Sequence, residues 1–163
     1  MLSRWLSEEE ERAWRAYRRM FTMLEARLAR ELAETGLSAA DYTVLSDLVE
    51  VPDRRWRVTD LAEYMAWSQS RLSHHLARME RRGLVRREKD PDDARSAHVS
   101  LTQQGLRAIA AASDRHLSGV RQHMVDLLTA DQLAALTEIS ETVLEHLGEP
   151  PPREPRSGQS SGS

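Results

Sequence analysis

Cysteine is absent from this chain of 163 residues. Its absence excludes disulfide bonds, zinc sites built from thiolates and any sensing of peroxide through a thiol. Aromatic residues make up only 5% of the sequence, and no apolar run approaches the roughly 18 residues of a transmembrane helix. No signal-peptide pattern opens the chain, so we expect a cytoplasmic protein without a membrane partner.

Recognised enzyme motifs are missing as well. The sequence contains no P-loop, no nucleophile elbow and no dinucleotide-binding fingerprint. Ser73 and His74 are neighbours on a predicted helix and do not face each other, so they are not a catalytic pair. We therefore expect neither an enzyme nor a bound cofactor.

Histidine is the one metal-ligating residue type that leaves an alternative open. His116 and His123 are seven positions apart on one predicted helix face, and Asp126 follows three positions later, which would suit a zinc-responsive regulator. Histidines that pack within helical interfaces are more common than ligands, and His74 and His75 point about 100° apart on a helix. We predict no metal site.

Basic residues are few overall but concentrated in one segment. The chain has a net charge of −3, which argues against a uniformly basic coat for nucleic acid. Residues 54–89 contain ten Arg or Lys and four Asp or Glu, a local charge of +6 that leaves −9 for the remainder. A basic segment in an acidic scaffold is typical of a localised DNA contact, although an ordinary surface patch can carry the same charge.

Residues 58–102 predict a short helix, a turn, a second helix and a β-hairpin. Thr59 is the expected N-cap of the first helix, and Ser68 is the expected N-cap of the second. The second helix should end near Arg82, because Gly83 is a suitable C′ residue. This order of elements is that of a winged helix-turn-helix.

The second helix of this segment has an apolar stripe and a polar side. Leu72, Leu76 and Met79 fall at i, i+4 and i+7 and predict the buried stripe. The side away from the stripe carries hydroxyls, imidazoles and guanidiniums, which can donate to guanine or to phosphates when a helix lies in the major groove. The alternative is an ordinary solvated face. We favour the groove, because a predicted wing follows directly.

The predicted wing consists of strands at residues 84–88 and 97–101, joined by the polar loop 89–96. A single outstretched Arg95 in that loop would suit a narrow minor groove, and Asp93 is spaced to orient either Arg95 or an arginine of the second helix. Taken alone, the loop could equally be a solvated turn.

Three motifs in this region resemble the multiple-antibiotic-resistance regulator (MarR) family. They are G-L-V-R-R, D-P-D-D-A-R-S and V-S-L-T-x-x-G, all within residues 83–105, and residues 37–45 and 72–80 also match the family's helices. The resemblance covers roughly residues 9–147 and implies a homodimeric DNA-binding repressor, less often an activator, that is frequently released by a small molecule. It also implies that Arg95 enters the minor groove and that residues 69–78 lie in the major groove. His74 departs from the Arg or Thr of many relatives.

The flanking regions predict long helices. Residues 8–35 carry Trp14, Tyr17, Phe21 and further apolar residues at spacings of three or four, which predict a helix with one apolar face. This face is longer than one small winged domain can cover. Thr102 is the expected cap of a second long helix, and Thr129 opens a capping box for a last one. We predict an interlocked helical dimer, and the alternative is a monomeric bundle.

The predicted fold class is therefore mainly α with a small β-hairpin, a winged helix-turn-helix flanked by long N- and C-terminal dimerisation helices. Residues 1–148 are predicted to form one domain, with a DNA-binding lobe at about 37–101 and dimerisation helices at about 8–35 and 102–147. Residues 149–163 are predicted to be a disordered tail.

The predicted partners are double-stranded DNA, a second copy of the chain and a small-molecule effector of unidentified chemistry. The candidate site residues comprise the recognition helix (Ser68, Gln69, Ser70, Arg71, Ser73, His74, His75, Arg78), the wing (Lys89, Asp93, Arg95, Ser96), phosphate contacts (Thr59, Arg57, Arg86) and an effector pocket (Trp14, Arg18, Met20, Met23, Tyr42, Trp56). A helical protein-interaction adaptor that has lost DNA affinity is the alternative from another functional class, supported by the acidic net charge.

Overall fold

The computed structural model describes residues 5–90 and 97–149. The chain divides into two compact units, Met1–His123 and Met124–Ser163. The first unit contains α1 (Glu8–Ala33), α2 (Ala39–Glu50), β1 (Arg55–Arg57), α3 (Val58–Tyr64), α4 (Gln69–Arg81), β2 (Val85–Lys89), β3 (Ala97–Leu101) and α5 (Gln103–His123). The second contains a 3₁₀ turn (Val125–Leu127) and α6 (Ala130–Leu147).

Local capping signals set most of the helix starts. Ser7, Ser38 and Thr129 each form a capping box, in which the cap hydroxyl accepts from a backbone N–H three residues on and that residue's side chain accepts in return. Ser68 caps α4 through its hydroxyl, as predicted. Gly83, at φ +72°, follows the end of α4 in the left-handed conformation that glycine adopts without steric cost.

The predicted Thr59 cap is wrong by two positions. α3 begins at Val58, Arg57 occupies the cap position without a side-chain hydrogen bond, and the Thr59 hydroxyl donates instead to Asp60 at 2.9 Å. The shift has a physical reason, since residues 55–57 are pulled into the sheet as β1 and the helix starts directly from the strand.

The sheet has three antiparallel strands in the order β1-β3-β2 rather than the two of a simple hairpin. Val99 on the central strand lies opposite Trp56 on one side and Arg87 on the other. A strand of three residues is too short to show the alternation that predicts strands, which is why β1 was not predicted.

The core of the first unit lies between α2, α3, α4 and the sheet. Its fully buried side chains are large aliphatic residues from all four elements, including Leu45, Leu48, Leu61, Leu72, Leu76, Met79, Val85 and Val99. The three residues of the predicted α4 stripe are all within it. The stripe therefore fixes which side of α4 faces outward.

α1 and α5 pack against each other through a buried carboxylate. Glu31 on α1 accepts from Arg27 at 2.6 Å and lies 2.8 Å from His123 Nε2 on α5, and Arg115 approaches its other oxygen at 3.4 Å. Hydrogen bonds from His123 and Arg27 lower the pKa of Glu31. Among the helices of the described ranges, none is long and apolar enough to cross a membrane.

Candidate nucleic-acid interface

α4 presents a continuous polar side to solvent. Ser68 Oγ accepts from the backbone N–H of Arg71 at 3.2 Å, which completes the first turn. The exposed side chains on this side are Gln69, Ser70, Arg71, Ser73, His74, Arg78 and Arg81. They include all the predicted recognition-helix contacts except Ser68, which is also exposed, and His75.

His75 is buried, with only 7% of its surface accessible, so the prediction that it contacts DNA is corrected. Its Nδ1 lies 2.9 Å from Arg78 Nη2, and its Nε2 lies 3.1 Å from Asp41 Oδ1 on α2. Burial and the charges of Arg78 and Arg82 lower the pKa of His75, against the opposing effect of Asp41. The buried His75 side chain therefore contacts the exposed Arg78 from the protein interior.

Asp41 fastens the end of α4 to the start of α2. Its Oδ2 accepts from Arg82 Nη1 at 2.7 Å and from the backbone of Ser38 at 3.0 Å, and Arg82 also donates to the Gly36 carbonyl at 2.8 Å. Burial alone would raise the pKa of Asp41, but the hydrogen bonds from Arg82 and Ser38 lower it overall. The carboxylate is therefore charged and fully engaged.

Arg71 is held by the turn that precedes α4. Its guanidinium carbon sits 3.9 Å from the centre of the Trp67 ring, in cation–π geometry. The same tryptophan meets His75 edge-on, with ring centres 5.7 Å apart. One aromatic ring thus contacts both an exposed arginine and the buried imidazole next to it.

The wing is tied to α4 by Glu80. This carboxylate accepts from the Arg87 backbone N–H at 2.8 Å and from its guanidinium at 2.9 Å, and these bonds lower the pKa of Glu80. Arg86 and Lys89 are exposed on β2. The predicted wing contacts Asp93, Arg95 and Ser96 lie outside the described residues.

Arg57, a predicted phosphate contact, lies at the edge of the sheet beside the wing loop. Its Nη2 is 3.5 Å from Asp90, a buried carboxylate that also lies 3.5 Å from His98. Half of the Arg57 side chain stays exposed, so it can reach a phosphate while paired. Thr59 and Arg86 are exposed.

The chain is similar in sequence and in fold to known transcriptional regulators. Residues 35–96 match the model of the MarR family. The transcriptional regulator HosA of Escherichia coli O111:H- is 37% identical over 101 residues, which cover 62% of this chain and 72% of HosA. The chain belongs to the MarR family.

Two solved MarR-family structures from Streptomyces coelicolor match nearly the whole chain. Sco3205, a transcriptional regulator crystallised in complex with DNA, is 38% identical, with a TM-score of 0.85 over 98% of this chain and 97% of its own. AbsC is 37% identical, with a TM-score of 0.85 over 90% of this chain and 99% of its own. This MarR-family protein is a DNA-binding transcriptional regulator and not an enzyme.

The MarR-family chain also contains a cavity of about 650 Å³ between α1, α2 and α5. Tyr42, a predicted pocket residue, lines it and lies against His116, with ring centres 4.4 Å apart. Burial lowers the pKa of His116. Phe21 and His116 belong to the lining but were not predicted, because their proximity to Tyr42 arises only when α1 and α5 cross α2.

The other predicted pocket residues lie elsewhere. Trp56 packs on Tyr64 beside the sheet, with ring centres 5.3 Å apart, and Trp14, Arg18, Met20 and Met23 are exposed on α1 outside the lining. Of the predicted pocket residues, only Tyr42 lines the cavity between α1, α2 and α5.

The two histidines of the metal alternative pack against protein side chains. Within residues 5–90 and 97–149, no group of three or more His, Asp or Glu is arranged to hold a metal ion. His123 contacts Glu31 and His116 contacts Tyr42, so the two candidate ligands pack against different partners.

Proposed function

We propose that this regulator acts as a homodimer that represses transcription from a pseudo-palindromic operator, with α4 in the major groove. The observation that carries the proposal is the exposed polar side of α4, on which two guanidiniums are already held in place. Such groups match the O6 and N7 acceptors of guanine. A regulator of this kind would work in the cytoplasm, on chromosomal DNA.

The polar groups divide between two roles in this proposal. Bases would be read by Gln69, Ser70, Arg71, His74 and Arg78, and phosphates would be held by Ser68, Ser73, Thr59, Arg57, Arg86 and Lys89. Arg95 would enter the minor groove, as the family resemblance implies, and Asp93 and Ser96 remain predicted wing contacts. His75 is left out because it is buried.

Dimerisation is supported by apolar side chains that a single chain leaves uncovered. On α1, Tyr17 stacks between Trp14 and Phe21 at 5.8 and 6.1 Å, yet all three are about half exposed. On α6, Ile139, Val143 and Leu147 are 51–64% exposed. A second copy of the chain covering these faces would place two recognition helices on two operator half-sites. These half-sites would be about 34 Å apart, which is one turn of DNA.

Effector release is supported by the cavity around Tyr42. Its volume of about 650 Å³ falls within the range of small-molecule sites, about 300–1,000 Å³, and aromatic and aliphatic groups dominate its lining. A ligand there would contact α1, α2 and α5 together. It would shift the population towards a dimer whose recognition helices misfit one turn of DNA.

Selection of bound duplexes from a random library, followed by affinity measurements, tests the proposal. Arg78→Ala should weaken binding to the selected operator by about 1–3 kcal/mol and relax the sequence preference at one base pair. The logarithm of affinity should fall with the logarithm of salt concentration with a slope of several units. A slope near zero, with no selected sequence, would favour the adaptor.

A further inference from the structure

Three residues of α4 form a stripe between its buried and its exposed sides. Arg71, His75 and Arg78 are spaced at i, i+4 and i+7, so they lie one above another on the helix. The two arginines are exposed and the histidine between them is buried. An exposed guanidinium thus stands on each side of a fixed imidazole.

The hydrogen-bond chemistry of Arg78 assigns the tautomer of His75. A guanidinium only donates, so the Nδ1 atom 2.9 Å from Arg78 Nη2 must be the unprotonated acceptor. The ring proton then sits on Nε2, which lies 3.1 Å from Asp41 Oδ1, a close electrostatic contact whose angle falls outside hydrogen-bond geometry. Asp41 cannot turn away easily, because its other oxygen is held by Arg82 and by Ser38.

Trp67 extends this support to Arg71. The Arg71 guanidinium carbon lies 3.9 Å from the centre of the Trp67 ring, and this ring is nearly perpendicular to that of His75, with centres 5.7 Å apart. The two exposed arginines therefore rest on one connected set of side chains, which comes from α2, from the turn before α4 and from α4 itself.

We propose that Asp41, His75 and Trp67 are positioning residues that hold Arg71 and Arg78 for base readout and so set the selectivity of the regulator for its operator. The inference rests on the proposed function, in which these arginines read bases. A long flexible side chain loses rotamer entropy when it docks on a base edge, and a side chain held beforehand loses less. Binding to phosphates of any sequence does not need that geometry. The support should therefore affect selectivity more than general DNA affinity.

The test measures affinity for the selected operator and for a scrambled duplex of equal length, using full-length variants. His75→Leu removes the acceptor for Arg78. It should lower the operator-to-scrambled ratio about tenfold, while binding to the scrambled duplex stays within about twofold. His75→Asn places an amide oxygen near the former Nδ1 and should recover most of the ratio. A residue that only maintains the fold would lower both affinities together.

A double-mutant cycle assigns the effect to Arg78. In an Arg78→Ala background, His75→Leu should change the ratio no further, because the group that it positions is gone. Trp67→Leu should likewise lower the operator-to-scrambled ratio, and it should change the ratio no further in an Arg71→Ala background. Trp67→Phe, which keeps a ring face for Arg71, should lower the ratio less.

The outcomes separate this inference from the proposed function. An unchanged ratio for Arg78→Ala would remove Arg78 from base reading and defeat the proposed function at that residue. A reduced ratio for Arg78→Ala with an unchanged ratio for folded His75→Leu would overturn only the positioning role. The positioning role would also be overturned if His75→Leu lowered the ratio by the same factor in the wild-type and Arg78→Ala backgrounds. If His75→Leu does not fold, His75→Gln, whose amide lies nearer the position of Nε2 than that of Nδ1, replaces it as the variant without the acceptor for Arg78, and an unchanged ratio would overturn the positioning role.

Discussion

Replacement of Asp41 by alanine tests the junction that carries the recognition helix. The carboxylate is 3% exposed and joins α2 to α4 through Arg82 and His75. Asp41→Ala removes the acceptor for Ser38 in the capping box, the partner of Arg82 and the oxygen that faces His75 Nε2. Only a local rearrangement or water could replace them.

The expected loss follows from the exposure of each partner. A lost cap contact costs about 1 kcal/mol. Loss of a charged hydrogen bond such as that between Arg82 and Asp41 lowers the free energy of unfolding by about 1.5–3 kcal/mol in general. Here the lower end applies, because the Arg82 side chain is 44% exposed and keeps its bond to the Gly36 carbonyl. Contributions within one network do not add fully. We expect a total loss of about 2–4 kcal/mol in the free energy of unfolding.

Urea denaturation followed by far-ultraviolet circular dichroism measures this loss. Asp114→Ala, which removes an exposed carboxylate from α5, is the matched control and should lie within about 0.5 kcal/mol of the wild type. A value for Asp41→Ala equal to that control would refute the assignment of the junction to this carboxylate.

The pH dependence provides an independent check. The pKa of Asp41 in the folded protein is below its value in the unfolded chain, so its stabilisation is fully present above about pH 4. That stabilisation is lost as the pH falls through the lower folded pKa. The difference between the wild type and Asp41→Ala should therefore shrink on acidification, and a constant difference would contradict the charged network.

Two further predictions concern packing. Gly105→Ala would place a Cβ 2.0 Å from the Leu84 carbonyl oxygen, a backbone atom, so α5 must shift, and we expect a loss of about 1–3 kcal/mol or more in urea titrations. Gly119→Ala meets the Glu31 carboxylate at 2.8 Å, and because a side chain, even one held by Arg27 and His123, yields more readily than a backbone carbonyl, the loss should be smaller; the reverse order would contradict the steric argument. For the dimer, Tyr17→Glu and Val143→Glu should reduce the mass found by light scattering from two chains to one while the helical signal persists. A wild type that already measures as a monomer would refute that interface.

Much of the secondary structure could be predicted because its signals are local. Ser38 and Thr129 each stand three residues before an acceptor side chain, and Gly83 follows the last turn of α4, so caps and ends could be found from short stretches of sequence. The stripe of Leu72, Leu76 and Met79 likewise indicated the buried side of α4, which the structure confirms.

His75 could not be assigned from the sequence. It lies at the border between the apolar stripe and the polar side of α4, where helical periodicity favours neither burial nor exposure. Its place depends on Asp41, which is 34 positions earlier, and on a tryptophan in the preceding turn. β1 was missed for a related reason, since three residues become a strand only when β3 provides hydrogen-bond partners.

The amino-acid sequence by itself determined the order of helices and strands, the winged helix-turn-helix and the polar side of α4, because periodicity and capping act over a few neighbouring residues. The tertiary structure alone decided which polar groups of α4 turn inward and which residues line the cavity around Tyr42. The burial of His75 depends on its contact with Asp41, and the cavity depends on walls from three helices. Those partners are distant in the chain and come together only when the chain folds.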